Sequence, residues 1–163
     1  MRKINIRLLG AAAALTAALA GAPSAWAATS APHSSSSTRE HSEVIRLVAR
    51  QTQSAFVDLG RKGVSLGDER VIAEDLYQGD RKIGDHSVVC TYVHLAPDAL
   101  QCVGAFALPQ GQIAGQALLH LPAPPAVDIP VTGGSGAYRT AGGYVHTVPA
   151  GDTERHLTFH ITR

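Results

Sequence analysis

The sequence predicts an all-β fold, a single eight-stranded antiparallel β-barrel, on three observations. Eight short apolar runs recur at intervals of about ten residues, and turn-favouring Gly, Pro or Asp residues separate them, as is typical of sandwiches and barrels. Near the end of the chain Leu157, Phe159 and Ile161 alternate with polar residues, which fits a half-buried strand better than a helix. Charged residues make up 17% of a chain with 16 Gly and 9 Pro, which argues against a coiled coil and charge-driven disorder.

The predicted strands follow one another without a convincing helix between them. Pro97-Asp98 marks one turn, and the glycine-rich segment 133–136 marks another, where glycine is free to adopt a positive φ. In chain order the predicted strands are 44–51, 69–78, 84–95, 99–108, 112–121, 126–132, 138–147 and 153–162. Eight antiparallel strands can close on themselves, and the interior then holds side chains or one small ligand.

Residues 1–27 are predicted to be an export signal. Positive residues among the first seven precede an apolar run at 8–20, which is too short to span a bilayer as a stable anchor. Ala25-Trp26-Ala27 then provides a small-x-small cleavage site. We therefore expect a secreted, extracellular protein that is cleaved after Ala27 and has no membrane association afterwards.

Residues 28–42 are predicted to be a flexible lead, and residues 43–163 are predicted to be the barrel domain. The lead has a Ser run and no periodic apolar pattern, so it cannot bury enough surface to offset the entropy cost of ordering. A spacer is its simplest role, and a lid over a cavity is the alternative. Loss of the three basic residues in the signal leaves eleven basic against thirteen acidic residues, a net charge of −2, which does not favour nucleic-acid binding.

The chain has two cysteines, Cys90 and Cys102, and an even pair in an exported protein predicts a disulfide. A hairpin centred near Ala96 would place them directly opposite each other on adjacent strands, where side chains approach closely enough to be bridged. If the bridge is absent, Cys90 becomes a candidate interior thiol.

Several motifs resemble those of the allene oxide cyclase barrel. In order and spacing these are LGD (66–68), EDLY (74–77), GDRKIG (79–84), Cys90, GQI (111–113) and VTGGSG (131–136). The segment GGSGAYRTAGGYV (133–145) also resembles a stretch of dirigent proteins. The resemblance implies the lipocalin-like eight-stranded barrel that these families share, and a homo-oligomer, dimer or trimer, as their members form.

The resemblance also implies positions for site residues. The first-strand catalytic Glu of the cyclases falls on Val48, so that acid is absent, whereas the EDLY position puts a dirigent-like acid at Glu74. An inward carboxyl in this apolar run would be desolvated, which favours a proton donor. We therefore predict Glu74 as the catalytic residue. Strand alternation leaves open the alternative that Asp75 points inward together with Tyr77.

A ligand cavity inside the barrel is expected to be mainly apolar, with a few polar groups. By strand parity and resemblance we predict that Cys90, Tyr92, Phe106 and Gln112 line it. No metal site is predicted, because His86 and His94 on one strand face would stand more than about 25 Å apart at about 3.3 Å per residue. No cofactor is expected either.

Two functions follow from this resemblance. In the first, the barrel is a cofactor-free, stereocontrolling cyclase or isomerase that folds an apolar unsaturated substrate, with Glu74 assisting by proton transfer. In the second, it binds an apolar molecule without turnover, as a hydrophobic-ligand carrier or a dirigent-like module. The missing first-strand acid favours the second function, and the retained EDLY-to-GGSG framework favours the first.

Overall fold

The computed structural model describes residues 41–163, which form a closed antiparallel barrel of eight strands. The strands are β1 (Ser42–Val57), β2 (Glu69–Gln78), β3 (Arg81–His94), β4 (Ala99–Leu108), β5 (Gly111–His120), β6 (Val127–Gly134), β7 (Gly142–Pro149) and β8 (Glu154–Thr162). Each strand pairs with the next, and β8 pairs with β1 to close the barrel. The predicted fold class is confirmed. The predicted export signal and residues 28–40 of the predicted lead lie outside the described residues.

The sequence prediction of the seventh strand was wrong at its start. Residues Gly136–Tyr138 form a single 3₁₀ turn, and β7 begins only at Gly142. Gly136 has a φ of 59°, and a Cβ there would lie 2.4 Å from the Gln110 carbonyl oxygen, so only glycine fits this turn. The turn places the Tyr138 ring inside the barrel, where it is 3% exposed. Within residues 41–163 no helix is long and apolar enough to cross a membrane.

Apolar side chains fill one half of the barrel interior. They come from the strand ends next to the β2–β3, β4–β5 and β6–β7 turns, and strand alternation points them inward. The buried members of this plug are Leu47, Ala49, Leu76, Phe106, Ile113, Tyr138, Ala141, Val145, Leu157, Phe159 and Ile161. A second, smaller buried cluster of Cys90, Tyr92, Leu100 and Cys102 lies toward the other end. Between the plug and that end the interior is open.

The disulfide predicted from the hairpin geometry is present. Cys90 and Cys102 are direct cross-strand partners on β3 and β4, with their Cα atoms 3.9 Å apart, and their sulfur atoms are bonded. Both side chains face the interior. The bridge therefore fixes the register of the β3–β4 hairpin from inside the barrel, and it is compatible with an extracellular protein.

Candidate functional site

The open half of the barrel contains a cavity of about 510 Å³. It is reached from the end formed by the β1–β2, β3–β4, β5–β6 and β7–β8 loops. Most of its wall is apolar. The lining residues on the strands include Ile72, Val88, Cys90, Leu100, Cys102, Phe106, Ala117, Leu119, Val127 and Ile129, and the polar ones include Gln51, Arg70, His86, Thr147 and Arg155.

Small residues on β4 and β5 create the space for the cavity. Gly104 and Gly115 are direct cross-strand partners, and both lie in the wall together with Ala117. A Cβ at Gly115 would come within 3.0 Å of the Ile129 side chain. Larger side chains at these positions would therefore occupy the space that a ligand needs.

A cluster of three polar side chains, Glu74, His86 and Arg155, lies beside the cavity. The Glu74 carboxylate is 2% exposed, and its Oε2 is 2.7 Å from Nδ1 of His86, its direct cross-strand partner on β3. Nε of Arg155 is 2.8 Å from Oε1, at ion-pair distance, although its N–H direction does not make a hydrogen bond. Arg155 reaches Glu74 across β1, where its cross-strand partner is the small Ala49. We call these three residues the polar cluster.

The polar cluster meets the cavity through two of its members. His86 and Arg155 line the cavity, whereas Glu74 lies behind them and does not. The His86 ring stacks on Phe106 with 4.1 Å between ring centroids and 11° between their planes. Stacking and the carboxylate contact together fix the imidazole ring in the cavity wall.

The rim of the cavity carries a second polar group. The Arg70 guanidinium is 3.4 Å from the Tyr92 hydroxyl and lies 6.0 Å from the Phe56 ring centroid. Next to the rim, the buried Asp68 carboxylate accepts hydrogen bonds from the Leu59 and Ser65 backbone amides, at 2.7 Å and 2.6 Å. The Leu59 amide in particular holds the pKa of Asp68 below its usual range. Asp68 thus ties the β1–β2 loop to the barrel mouth.

The predicted cavity residues fall into different places. Cys90, Cys102 and Phe106 line the cavity. Tyr92 is buried in the interior cluster with Cys90 but is not among the residues that line the cavity, and its hydroxyl contacts Arg70. Gln112 is exposed on the outer surface, because strand alternation gives the inward position to its neighbour Ile113. The prediction that Gln112 lines the cavity was therefore wrong.

Glu74, the carboxyl that the sequence prediction favours over Asp75, points inward. Asp75 is half-buried on the outer side, where Lys82 bridges it and Asp85 at 2.8 Å each. The Glu74 side chain is buried and is not among those that line the cavity, and its catalytic role stays a prediction. Within residues 41–163 no three His, Cys, Asp or Glu side chains converge as metal ligands would.

Sequence reasoning missed His86, Arg155 and Gly104 as parts of the site. The signal for His86 was present, because Glu74 and His86 are equally distant from Asp80 in the predicted β2–β3 turn, so a hairpin centred there pairs them. Arg155 has the same parity as the inward Leu157. No comparable signal in the sequence marks Gly104.

Comparison with known proteins gives one family and a shared fold. The model of the family described as "Allene oxide cyclase barrel like domain" matches residues 45–161. No curated protein sequence matches the chain. Similar solved structures include a pyocyanin demethylase, which is 18% identical with a TM-score of 0.64 and aligns over 73% of this chain and 99% of that one.

Two further solved structures have related architectures. An exo-specific intermolecular Diels-Alderase is 13% identical with a TM-score of 0.60, over 76% of this chain and 99% of that one. A pterocarpan synthase dirigent protein is 14% identical with a TM-score of 0.63, over 86% and 99% of the two chains. At these identities the likeness shows the fold alone, and the polar cluster has to be interpreted from its own geometry.

Proposed function

Because the chain belongs to the allene oxide cyclase barrel-like family, we propose that its barrel binds an apolar, unsaturated small molecule and directs that molecule's cyclisation or isomerisation without a cofactor. The cavity carries this proposal. Its volume of about 510 Å³ suits one small organic molecule, and its wall is apolar except for a few polar groups. A surface of that kind selects an apolar ligand and orients it by one polar end.

In this proposal, confinement of the substrate in the cavity contributes most of the rate acceleration. A flexible unsaturated chain that is folded in the cavity has its reacting atoms held near one another, and the entropy cost of that arrangement is met on binding rather than in the chemical step. The plug at the far end excludes water from that side, which protects a reactive intermediate. The Diels-Alderase and the dirigent protein, which have the same fold, support this kind of reaction.

A second candidate function is binding without turnover. Two features favour it: the family's first-strand acid is replaced by Val48, and both oxygens of Glu74 already face partners of this chain. A carrier needs the apolar cavity and no reacting group. The disulfide is compatible with either function outside the cell, and we propose that the protein is exported. From the family to which the chain belongs, we also propose that it forms a homo-oligomer.

Native mass spectrometry of the protein purified without reducing agent tests the proposal. We expect a bound small molecule, and we expect its incubation with fresh protein to give a product of unchanged mass if the reaction is an isomerisation. A ligand that is released unchanged would support the carrier function. A protein with no affinity for any apolar molecule would contradict both functions.

A matched pair of variants shows whether binding occurs in this cavity. Ala117 lines the cavity, whereas its neighbour Leu118 points outward and is 52% exposed. Ala117→Phe should weaken binding of the fluorescent probe N-phenyl-1-naphthylamine by about tenfold or more, equivalent to about 1.4 kcal/mol. Leu118→Phe should leave binding unchanged. Equal binding by the two variants would place the ligand elsewhere.

A further inference from the structure

We propose that His86 is the proton-transfer residue of the cavity, that Glu74 positions it, and that the substrate carries a weakly acidic proton. This proton would be on a carbon next to a carbonyl group or on an enol or phenol oxygen. The inference about the substrate rests on the proposed function and narrows it. It differs from the sequence-based prediction, which gave the proton transfer to Glu74 itself.

The His86 ring is held so that only one of its nitrogen atoms is free to react. Nδ1 is 2.7 Å from the Glu74 carboxylate, and the ring face is covered by Phe106. With Nδ1–H donating to the carboxylate, Nε2 carries the lone pair. His86 is the one histidine among the described residues that line the cavity, whereas His94 is exposed at the β3–β4 turn.

Gly104 keeps Nε2 accessible. It lies beside His86 in the cavity wall, and a Cβ at this position would stand 3.0 Å from Nε2 and 2.9 Å from the Ser87 carbonyl oxygen. Any side chain at position 104 would therefore crowd the nitrogen that the ligand has to reach. The glycine partner across the β4–β5 ladder, Gly115, keeps the same part of the wall open.

The buried Glu74 carboxylate fits a positioning role better than direct contact with substrate. It is one of the few buried charges of the barrel, and Arg155 on its other side balances its charge. A carboxylate behind an imidazole fixes the ring orientation and stabilises the imidazolium that forms when Nε2 takes up a proton. Arg155, which also lines the cavity, places positive charge where an enolate or phenolate would develop.

The proposed step is a proton shift that balances within the substrate. Nε2 takes the proton from the carbon or oxygen, and the electron pair of the broken C–H or O–H bond moves into the adjoining π system. The imidazolium then returns the proton to another atom of that system. Nothing is oxidised or reduced, and substrate and product have the same mass. A substrate without an acidic proton would gain nothing from this arrangement.

The probe 5-nitrobenzisoxazole tests His86 without knowledge of the natural ligand. Its ring opens when a base removes the C3 proton: the N–O bond breaks, its electron pair goes to the oxygen, and the single product carries both a nitrile and a coloured phenolate. We expect wild-type protein to accelerate this reaction, and His86→Gln to lose about 100-fold of the acceleration, as is typical for removal of a general base. The matched control His94→Gln, on the same strand but outside the cavity, should behave as wild type.

Three further variants separate positioning from structure. Glu74→Gln should lower kcat by about tenfold with little change in KM, because the ring remains in place but loses its stabilising charge. Glu74→Asp should recover part of the loss. Gly104→Ala should instead raise KM or abolish turnover, because it crowds Nε2. Thermal melting of each variant shows whether the barrel is intact.

Chemical modification of the wild-type protein keeps the test valid if His86→Gln fails to fold. Diethyl pyrocarbonate should carbethoxylate His86 in step with the loss of probe turnover, and bound N-phenyl-1-naphthylamine should slow both. Modification of His94 should leave turnover unchanged. Equal turnover of the probe by wild type and His86→Gln, or full turnover after His86 is modified, would overturn the inference. Since the natural ligand is not used, a failed ligand search would contradict the proposed function and leave this result standing.

Discussion

Removal of the Cys90–Cys102 disulfide should destabilise the barrel by a predictable amount. The two residues are 12 positions apart, so the bridge closes a short loop in the unfolded chain. For a loop of this size, the chain-entropy estimate of the stabilisation is about 3 kcal/mol. Since both side chains face the interior, we choose Cys90→Ala with Cys102→Ala, which removes the bridge and adds no bulk to the cavity wall.

Thermal unfolding of the oxidised wild type and the double variant measures this difference. For a domain of this size, about 3 kcal/mol corresponds to a fall in Tm of roughly 10 °C. Dithiothreitol should lower the Tm of the wild type toward that of the double variant and leave the double variant unchanged, which is the internal control. The strands on either side remain hydrogen-bonded, so the folded variant should keep its barrel.

If the double variant melted at the same temperature as the oxidised wild type, the loop-closure estimate of the stabilisation would be wrong. In that case the β3–β4 hairpin would already be formed in the unfolded state, and the bridge would constrain nothing. A loss much larger than about 3 kcal/mol would mean that packing of the sulfur atoms against the cavity wall, rather than loop closure, is the main contribution. Either outcome is read directly from the two melting curves.

Three further predictions concern stability. The Leu59 amide lowers the pKa of Asp68, so this carboxylate stabilises the fold above the pKa of unfolded aspartate and loses that effect as pH falls through its folded-state pKa. Asp68→Asn should therefore lower the urea midpoint at pH 7, and the gap to wild type should narrow in acid. Burial raises the pKa of Tyr138, so an absorbance titration should show a late-ionising tyrosine that Tyr138→Phe lacks. Loss of its hydrogen bond to Gln110 should cost about 1 kcal/mol in urea unfolding. Leu76→Ala in the plug should lower the free energy of unfolding by about 2–5 kcal/mol, while the folded variant still binds N-phenyl-1-naphthylamine. Loss of that binding would show that plug and cavity are coupled.

Much of the barrel could be predicted because hairpins are local. Consecutive strands joined by short turns pair in a register that the turn centre fixes, so the contact between Cys90 and Cys102 follows from counting residues outward from Ala96. Strand parity then assigns each side chain to one face. The prediction for Gln112 is wrong because the polar residues of β5 suggest one inward face, whereas the inward residues are Ile113, Gly115 and Ala117. Glycine and alanine give no apolar signal there.

The cavity itself could not be predicted from pattern, because an empty space depends on the size of residues that come from distant strands. In the sequence, Gly104 and Gly115 are residues that would destabilise two strands. Only the closed barrel, which places them next to the His86 ring and the Ile129 side chain, shows that they leave space for the cavity. The start of β7 was missed for a related reason. The sequence pattern places Tyr138 in a strand, whereas it fills the barrel end from a 3₁₀ turn.

The polar cluster shows which part of a site is local and which is not. Glu74 and His86 are cross-strand partners in one hairpin, so their contact needs only the β2–β3 turn. Arg155 comes from the last strand and meets Glu74 only because β8 closes onto β1, so the ion pair exists only in the closed barrel. Unpaired, the buried carboxylate would be costly. Closure of the barrel therefore also brings the compensating positive charge to Glu74. Arg155→Met should lower the melting temperature of the barrel as well as the rate of proton transfer at His86.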